Sequence, residues 1–154
     1  MDLLHQQTIT IRGQVVISGE RKAVEFGAKI LLEEGAKRAV ILNTNGPFHT
    51  NKLEQAKVEL EKELEKISIK KGKMPVIKNI DGLPYIEEDN VKEILAKHMI
   101  SPVRFDKTIE YMQSKEIQNF IEVGPGKTLT GFVKKVIKEA NVIDINNILE
   151  GEKL

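Results

Sequence analysis

The residue with the clearest chemical potential is His49, which stands near the end of a turn, residues 43–51, with the sequence NTNGPFHTN. The turn follows an apolar run, residues 39–42, that is typical of a buried strand, and it precedes a helical pattern that starts near Leu53. Open α/β sheets bind ligands where their strands end, and histidine exchanges a proton near neutral pH. His49 is therefore a candidate general base, with a turn-capping role as the alternative that position alone favours.

The other candidate residues carry weaker signals. His98 lies on the apolar face of a predicted helix, where a hydrogen-bonded core histidine is the ordinary interpretation, and His5 near the terminus predicts nothing. The segment GPGKT, residues 124–128, is similar to the end of a phosphate loop, but the full motif needs a glycine where Ile121 stands. A structural turn is predicted there, with anion binding at the following helix as the alternative.

The rest of the sequence excludes several kinds of catalytic centre. No cysteine is present, and no group of His, Asp and Glu has the spacing of metal ligands. None of the four serines stands in a nucleophile-elbow context; they are Ser18, Ser68, Ser101 and Ser114. Three lysines form a basic face on one predicted helix, which is ordinarily a solvated surface; they are Lys134, Lys135 and Lys138.

Composition favours a single globular domain. The chain has 154 residues, 31% of them charged, with a net charge of +1, so no overall field attracts nucleic acid or an anionic membrane. No apolar run reaches the roughly 20 residues of a membrane span, and the first residues do not form a signal peptide. These features predict a cytoplasmic protein that binds neither nucleic acid nor membrane.

The elements that must position these residues alternate between strand and helix, which predicts a parallel α/β architecture. The predicted strands are residues 8–11, 14–18, 38–42, 74–80, 120–123 and 142–145. The predicted helices are residues 20–34, 53–67, a segment capped by Asp89 or Asn90 and ended by Pro102, a segment with Phe105, Ile109 and Met112 inward, and residues 128–140.

Six motifs in this order resemble those of malonyl-CoA:acyl carrier protein transacylases. They are GQVVISG at residues 13–19, GAKRA at 35–39, GPFH at 46–49, PVIKN at 75–79, SPVRF at 101–105 and IEVGPGK at 121–127. The resemblance implies an α/β-hydrolase-like acyltransferase core with a ferredoxin-like small subdomain. Residues 1–42 would form part of the small subdomain, and residues 43–154 would form the carboxy-terminal part of the core.

The resemblance also implies an activity and roles for two histidines. The family moves malonyl from coenzyme A to the phosphopantetheine thiol of acyl carrier protein by a Ser/His acyl-enzyme mechanism, without a cofactor. By this resemblance His49 is the general base, and the main-chain carbonyl of residue 98, where the family commonly has glutamine, accepts a hydrogen bond from its Nδ1. That contact leaves Nε2 free to take a proton.

The family's G-H-S-x-G elbow and the arginine that pairs with malonyl have no counterpart in the chain. We therefore expect a carboxy-terminal half that is not competent alone, exposes apolar surface, and requires a complementing half-chain. Before the GQVV segment the family usually has a run similar to N-x-N-S-P. Assumed codons for residues 7–12, read two bases later, encode Asn-Asn-Tyr-Asn-Ser, which is close to that run. We therefore hypothesise a frameshift here, and the coding DNA would test it. The alternative is a non-catalytic module that docks acyl carrier protein through Lys127, Lys134 and Lys135, or docks the missing half.

Overall fold

The computed structural model describes residues 5–11, 13–44 and 46–145, and it contains both helices and strands. In chain order the elements are β1 (His5–Ile11), β2 (Gln14–Ser18), α1 (Arg21–Glu33), a 3₁₀ turn (Asn51–Leu53), α2 (Glu54–Glu65), α3 (Val91–His98), β3 (Val103–Arg104), α4 (Phe105–Ser114), β4 (Asn119–Glu122), α5 (Thr128–Val136) and β5 (Asn141–Asp144). The predicted α/β class is confirmed.

The described strands form two small sheets. One has the order β2-β1-β3, with β1 antiparallel to β2 and parallel to β3; the other is a parallel pair of β4 and β5. The prediction of a purely parallel arrangement is wrong for β1 and β2, because only residues 12 and 13 connect them and so short a connection reverses the chain. Because β1 pairs with β3, one sheet spans both sides of the predicted boundary at residue 42.

The main core lies between α4, α5 and the strands beside them. Phe105, Ile109 and Met112 are spaced by four and three residues, so they share one face of α4, as predicted. Ile109 is fully buried at the centre of this face. Around it the buried residues are Ile11, Val133 and Ala140, with Phe120, Phe132, Val136, Ile137 and Val142 packed against them. This core anchors the carboxy-terminal helices to both sheets.

A second contact joins α2 to α3. Leu64 of α2 is 8% exposed and Ala96 of α3 is fully buried. The ammonium of Lys92 donates to the main-chain oxygen of Glu65 at 3.3 Å and closes the end of this helix pair. The predicted apolar stripe of α2 does not extend to Ile67, which is 52% exposed, because the helix ends at residue 65.

Two predicted strands are absent from the described residues. Residues 38–42 lie in no strand, and Val40, Ile41 and Leu42 are each more than half exposed. A strand needs a neighbour for its main-chain groups, and no described strand pairs with this segment. Residues 74–80 carry only a single β-bridge, from Ile77 to Pro84, which flanks a turn at residues 79–81.

No helix in the described ranges is long and apolar enough to cross a lipid bilayer.

Candidate active site

His49 is held in a strained turn before α2. Its backbone has a φ of 58°, in the left-handed region that residues other than glycine rarely adopt. The Phe48 ring folds back over Gly46, so that a Cβ at residue 46 would stand 2.9 Å from Phe48 Cε2 unless this exposed ring moved. Neighbouring contacts must stabilise such a conformation, which in general costs about 1 kcal/mol or more.

The buried side chain of Thr50 stabilises this turn. It is 3% exposed, and its hydroxyl donates to the main-chain oxygen of Pro47 at 2.7 Å. The hydroxyl oxygen of Thr50 in turn accepts a hydrogen bond from the main-chain N–H of Lys52 at 3.3 Å, which caps the 3₁₀ turn. Our sequence analysis missed Thr50, although a threonine just before a helical pattern is the ordinary signal of an N-cap.

Helix α3 brings a main-chain acceptor to the same place. Asn90, one of the two predicted caps, caps its start by accepting the N–H of Glu93 at 3.3 Å, and His98 is its last residue. The last carbonyls of a helix have no partner within the helix. The oxygen of His98 is therefore available, and the N–H of Ser101 reaches it at 3.4 Å.

The side chain of His49 contacts the end of α3 at His98. His49 Nδ1 lies 3.1 Å from the main-chain oxygen of His98. A carbonyl oxygen only accepts hydrogen bonds, so Nδ1 must carry the proton, and Nε2 keeps its lone pair. This is the tautomer that a base acting through Nε2 requires.

The side chain of His98 also contacts His49. The ring centroids are 5.1 Å apart, with 31° between the ring planes. The buried Nε2 of His98 has no hydrogen-bond partner among the described residues, so the expectation of a hydrogen-bonded core histidine is wrong. Burial first, and then the charge of His49, lower the pKa of His98. The His98 ring is therefore neutral near pH 7.

The loop before α3 is braced by an ion-pair cluster that the sequence analysis did not identify. The buried ammonium of Lys78 lies 3.0 Å from Asp89 and 3.3 Å from Asp81. Burial lowers the pKa of Lys78, but the hydrogen bonds to Asp89 and Asp81 outweigh burial and raise it. Asp89 also accepts the N–H of Ile86 at 2.9 Å. The cluster ties residues 78–89 together immediately before α3.

The turn after β4 is structural, as predicted. The Glu122 carboxylate accepts the N–H groups of Leu129 and Thr130 at 3.1 and 2.9 Å and the hydroxyl of Thr130 at 2.5 Å. These contacts, the Thr130 hydroxyl foremost, lower the pKa of Glu122. A carboxylate of the chain thus already takes two of the N–H groups at the N-terminus of α5, which disfavours the anion-binding alternative.

A nucleophile is not brought to His49 by the described residues. All four serines lie in the described ranges, and none of their hydroxyls is hydrogen-bonded to the His49 ring. Among those same ranges, no group of three or more His, Cys, Asp and Glu residues could hold a metal ion. Within the described residues, the His49 ring is therefore oriented through Nδ1, and no serine hydroxyl is hydrogen-bonded to it.

Comparison with known proteins identifies close relatives. The chain is 37% identical over 146 residues to the malonyl CoA-acyl carrier protein transacylase of Bacillus subtilis, covering 95% of this chain and 46% of the relative. It is 34% identical over 134 residues to the Escherichia coli K12 protein of the same name, covering 87% of this chain and 43% of the relative. No protein-family model matches the chain.

Solved structures give the same relationship. The transacylase of Clostridium perfringens superposes with a TM-score of 0.90 at 38% identity, over 97% of this chain and 49% of that one. A malonyl-transacylase in complex with its type II polyketide acyl-carrier protein superposes with a TM-score of 0.88 at 29% identity, over 94% of this chain and 47% of that one. The chain spans about half the length of the relatives it matches, and it is homologous to them in sequence and fold.

Proposed function

We propose that this homologue of malonyl CoA-acyl carrier protein transacylases supplies the general base for malonyl transfer from coenzyme A to acyl carrier protein. The observation that carries the proposal is the 3.1 Å contact between His49 Nδ1 and the main-chain oxygen of His98. It sets the tautomer that a Ser/His mechanism needs. His49 is the proposed catalytic residue, and His98 is proposed to orient it through its carbonyl.

The proposed reaction has two balanced steps. His49 Nε2 takes the proton of a serine hydroxyl while the serine oxygen attacks the malonyl thioester, and the imidazolium then protonates the departing thiolate of coenzyme A. In the second step Nε2 takes the proton of the pantetheine thiol, which attacks the malonyl-serine ester, and the imidazolium returns the proton to the serine. The Nδ1 hydrogen bond persists throughout, because the carbonyl stabilises the imidazolium as well.

The serine is proposed to come from polypeptide beyond these 154 residues. Each relative is about twice as long as the matched segment, and no serine of this chain hydrogen-bonds His49. In the same proposal, residues 1–42 form part of the ferredoxin-like small subdomain and residues 43–154 the carboxy-terminal part of the core. Without the complementing half, the base accounts for only a small part of the catalysis.

Acyl carrier protein is the proposed macromolecular partner. A structure of a related malonyl-transacylase is a complex with its acyl-carrier protein. On this chain Lys127 immediately before α5 and Lys134 and Lys135 within it are exposed, and their positive charge suits an acidic partner. This surface also supports the second candidate function, a non-catalytic module that docks the carrier.

A reconstitution assay tests the proposal. The chain is incubated with malonyl-CoA and holo acyl carrier protein, alone and with the amino-terminal half of the Bacillus subtilis relative, and malonyl transfer is measured. We expect transfer only in the mixture. His49→Gln should reduce it by about 10²–10⁴-fold, while His5→Gln, the matched control, should leave it unchanged.

Two results would contradict the proposal. Robust transfer by the chain alone would show that it does not need a serine from elsewhere, and full activity of the His49→Gln mixture would remove His49 as the base. If the mixture is inactive but the chain binds acyl carrier protein, and Lys134→Glu weakens that binding while His49→Gln does not, the docking function replaces the catalytic one.

A further inference from the structure

We propose that the imidazole of His98 is a positioning residue for His49, in addition to the main-chain carbonyl of the same residue. The catalytic meaning of this inference rests on the proposed role of His49 as a base, whereas the geometry stands on its own. The two rings lie 5.1 Å apart at 31°, within the range of offset ring packing. The carbonyl contact and the ring contact together hold one side chain.

One hydrogen bond is too little to hold the His49 ring. The side chain has two rotatable torsions, and a single Nδ1-to-oxygen distance constrains only one combination of them. The left-handed backbone of His49 limits the rotamers that its side chain can adopt, but it does not by itself fix the direction of the ring. A second contact is needed to fix the direction of Nε2, and the ring of His98 is positioned to provide it.

Both contacts come from the end of one helix. The carbonyl and ring of His98 belong to the last residue of α3, and the buried Ala96 packs that helix against α2. A displacement of α3 would move both contacts together. The carbonyl acceptor and the packing ring are therefore held at a fixed position relative to each other, because both belong to His98. Helix α3 places this residue against the turn that carries His49.

The His98 ring suits this position because it stays neutral. Burial and the neighbouring His49 lower the pKa of His98, so it does not carry a second positive charge when His49 accepts a proton. Its buried Nε2 makes no hydrogen bond within the described ranges, which is a cost that an apolar side chain would avoid. Packing, and not a hydrogen bond from Nε2, therefore holds the His98 ring in place. The property to test is whether a flat ring is needed at residue 98.

The test is nitrogen NMR of the chain labelled with ¹⁵N-histidine. Only His5, His49 and His98 report, so the spectrum is simple. At pH 8, above the ordinary histidine pKa of about 6.5, the shifts of Nδ1 and Nε2 show which nitrogen of each ring carries the proton. Solid-state spectra give the same information if the chain self-associates.

Three variants separate the ring from the carbonyl, which all of them retain. His98→Phe keeps a flat ring, His98→Leu keeps an apolar side chain without one, and His98→Gln keeps a polar side chain of comparable length. We expect the Nδ1–H tautomer of His49 to persist in the parent chain and in His98→Phe. In His98→Leu and His98→Gln its population relative to the Nε2–H tautomer should fall about 2- to 12-fold, which corresponds to the loss of a ring contact.

Equal Nδ1–H populations in the parent chain and all folded variants would overturn the inference, as would a loss in His98→Phe equal to that in His98→Leu. Circular dichroism identifies the variants that fold, and comparison of Phe with either Leu or Gln suffices for the decision. The NMR result is independent of activity. If His49→Gln is fully active while the Nδ1–H population of His49 still depends on the ring at residue 98, the proposed function fails and the positioning role survives. If His49→Gln is inactive while that population does not depend on the ring, only the positioning role fails.

Discussion

Two regions of this chain carry similar apolar patterns but differ in what covers them. In the base region, residues 46–114, Ala96 and Ile109 are fully buried. In the α1 region, residues 21–42, Phe26 is 65% exposed and Leu42 is 53% exposed. Helix α4 has β1 and α5 opposite its apolar face, whereas the described elements leave most of the apolar face of α1 uncovered. An apolar face contributes stability only where a second layer covers it.

The largest expected effect tests this difference with the same substitution in each region. Ile109→Ala removes a fully buried side chain from the main core and should lower the free energy of unfolding by about 2–5 kcal/mol. The matched change Ile30→Ala, at a side chain 40% exposed on α1, should cost less than about 1 kcal/mol. Urea denaturation followed by circular dichroism measures both. Equal losses would show that α1 is covered as well as α4.

Gly82→Ala comes next, because it tests how closely the loop before α3 packs. Gly82 has a φ of 74°, and a Cβ there would stand 2.3 Å from Lys107 Cβ. Strain and crowding together should cost about 2–3 kcal/mol. Gly131→Ala is the control: nothing lies within 4 Å of its Cβ position in α5, and alanine favours helix. A neutral Gly82→Ala would mean that the loop is free to move away from α4.

The ion-pair cluster should have the third-largest effect. Lys78→Met removes the buried ammonium that Asp81 and Asp89 share, and it should lower the free energy of unfolding by about 1–2 kcal/mol. Lys134→Met, at an exposed position of α5, should change it by less than about 0.5 kcal/mol. Chemical denaturation of both variants in the same buffer gives the comparison. An unaffected Lys78→Met chain would remove the cluster as a brace for α3.

A smaller effect is expected from pH, and it concerns the site itself. The pKa of His98 is lowered in the folded chain, so the unfolded chain binds the proton more readily. The stability due to this group is present above about pH 6.5, and it is lost as pH falls through the lowered folded pKa. The lowered pKa values of Asp89 and Asp106 act in the same direction, but only at more acid pH.

Unfolding free energies measured from pH 8 to pH 5 check this expectation. They should decline below about pH 6.5 in the parent chain and decline less in His98→Phe, which cannot take up the proton. Identical slopes for the two chains would show that His98 titrates alike in the folded and unfolded states.

The smallest effect is expected in the α1 region. Phe26→Ser replaces a side chain that is 65% exposed, and the two residues have similar helix propensities. The free energy of unfolding should change by less than about 0.5 kcal/mol, whereas self-association, measured by sedimentation, should decrease because exposed apolar area is removed. A large loss of stability would indicate that Phe26 is covered in solution.

Local pattern predicted most of the helices but not the pairing of strands. The apolar face of α4 and a cap of α3 at Asp89 or Asn90 were predicted, because spacing and capping act over a few residues. Residues 38–42 were predicted as a strand from apolar content alone, and this was wrong, because a strand depends on a neighbour that may lie far away in sequence. The catalytic roles of His49 and His98 remain predictions; the hydrogen bond between them is present.

The sequence by itself determined the α/β class, the kinship with the transacylases and the presence of His49 in a turn before a helix, since each depends on residue types at short spacing. Only the tertiary structure decided that the His98 ring packs on His49 and that Lys78 pairs with Asp89 before α3. The reason is distance along the chain: His49 and His98 are 49 residues apart, and only folding brings such pairs together.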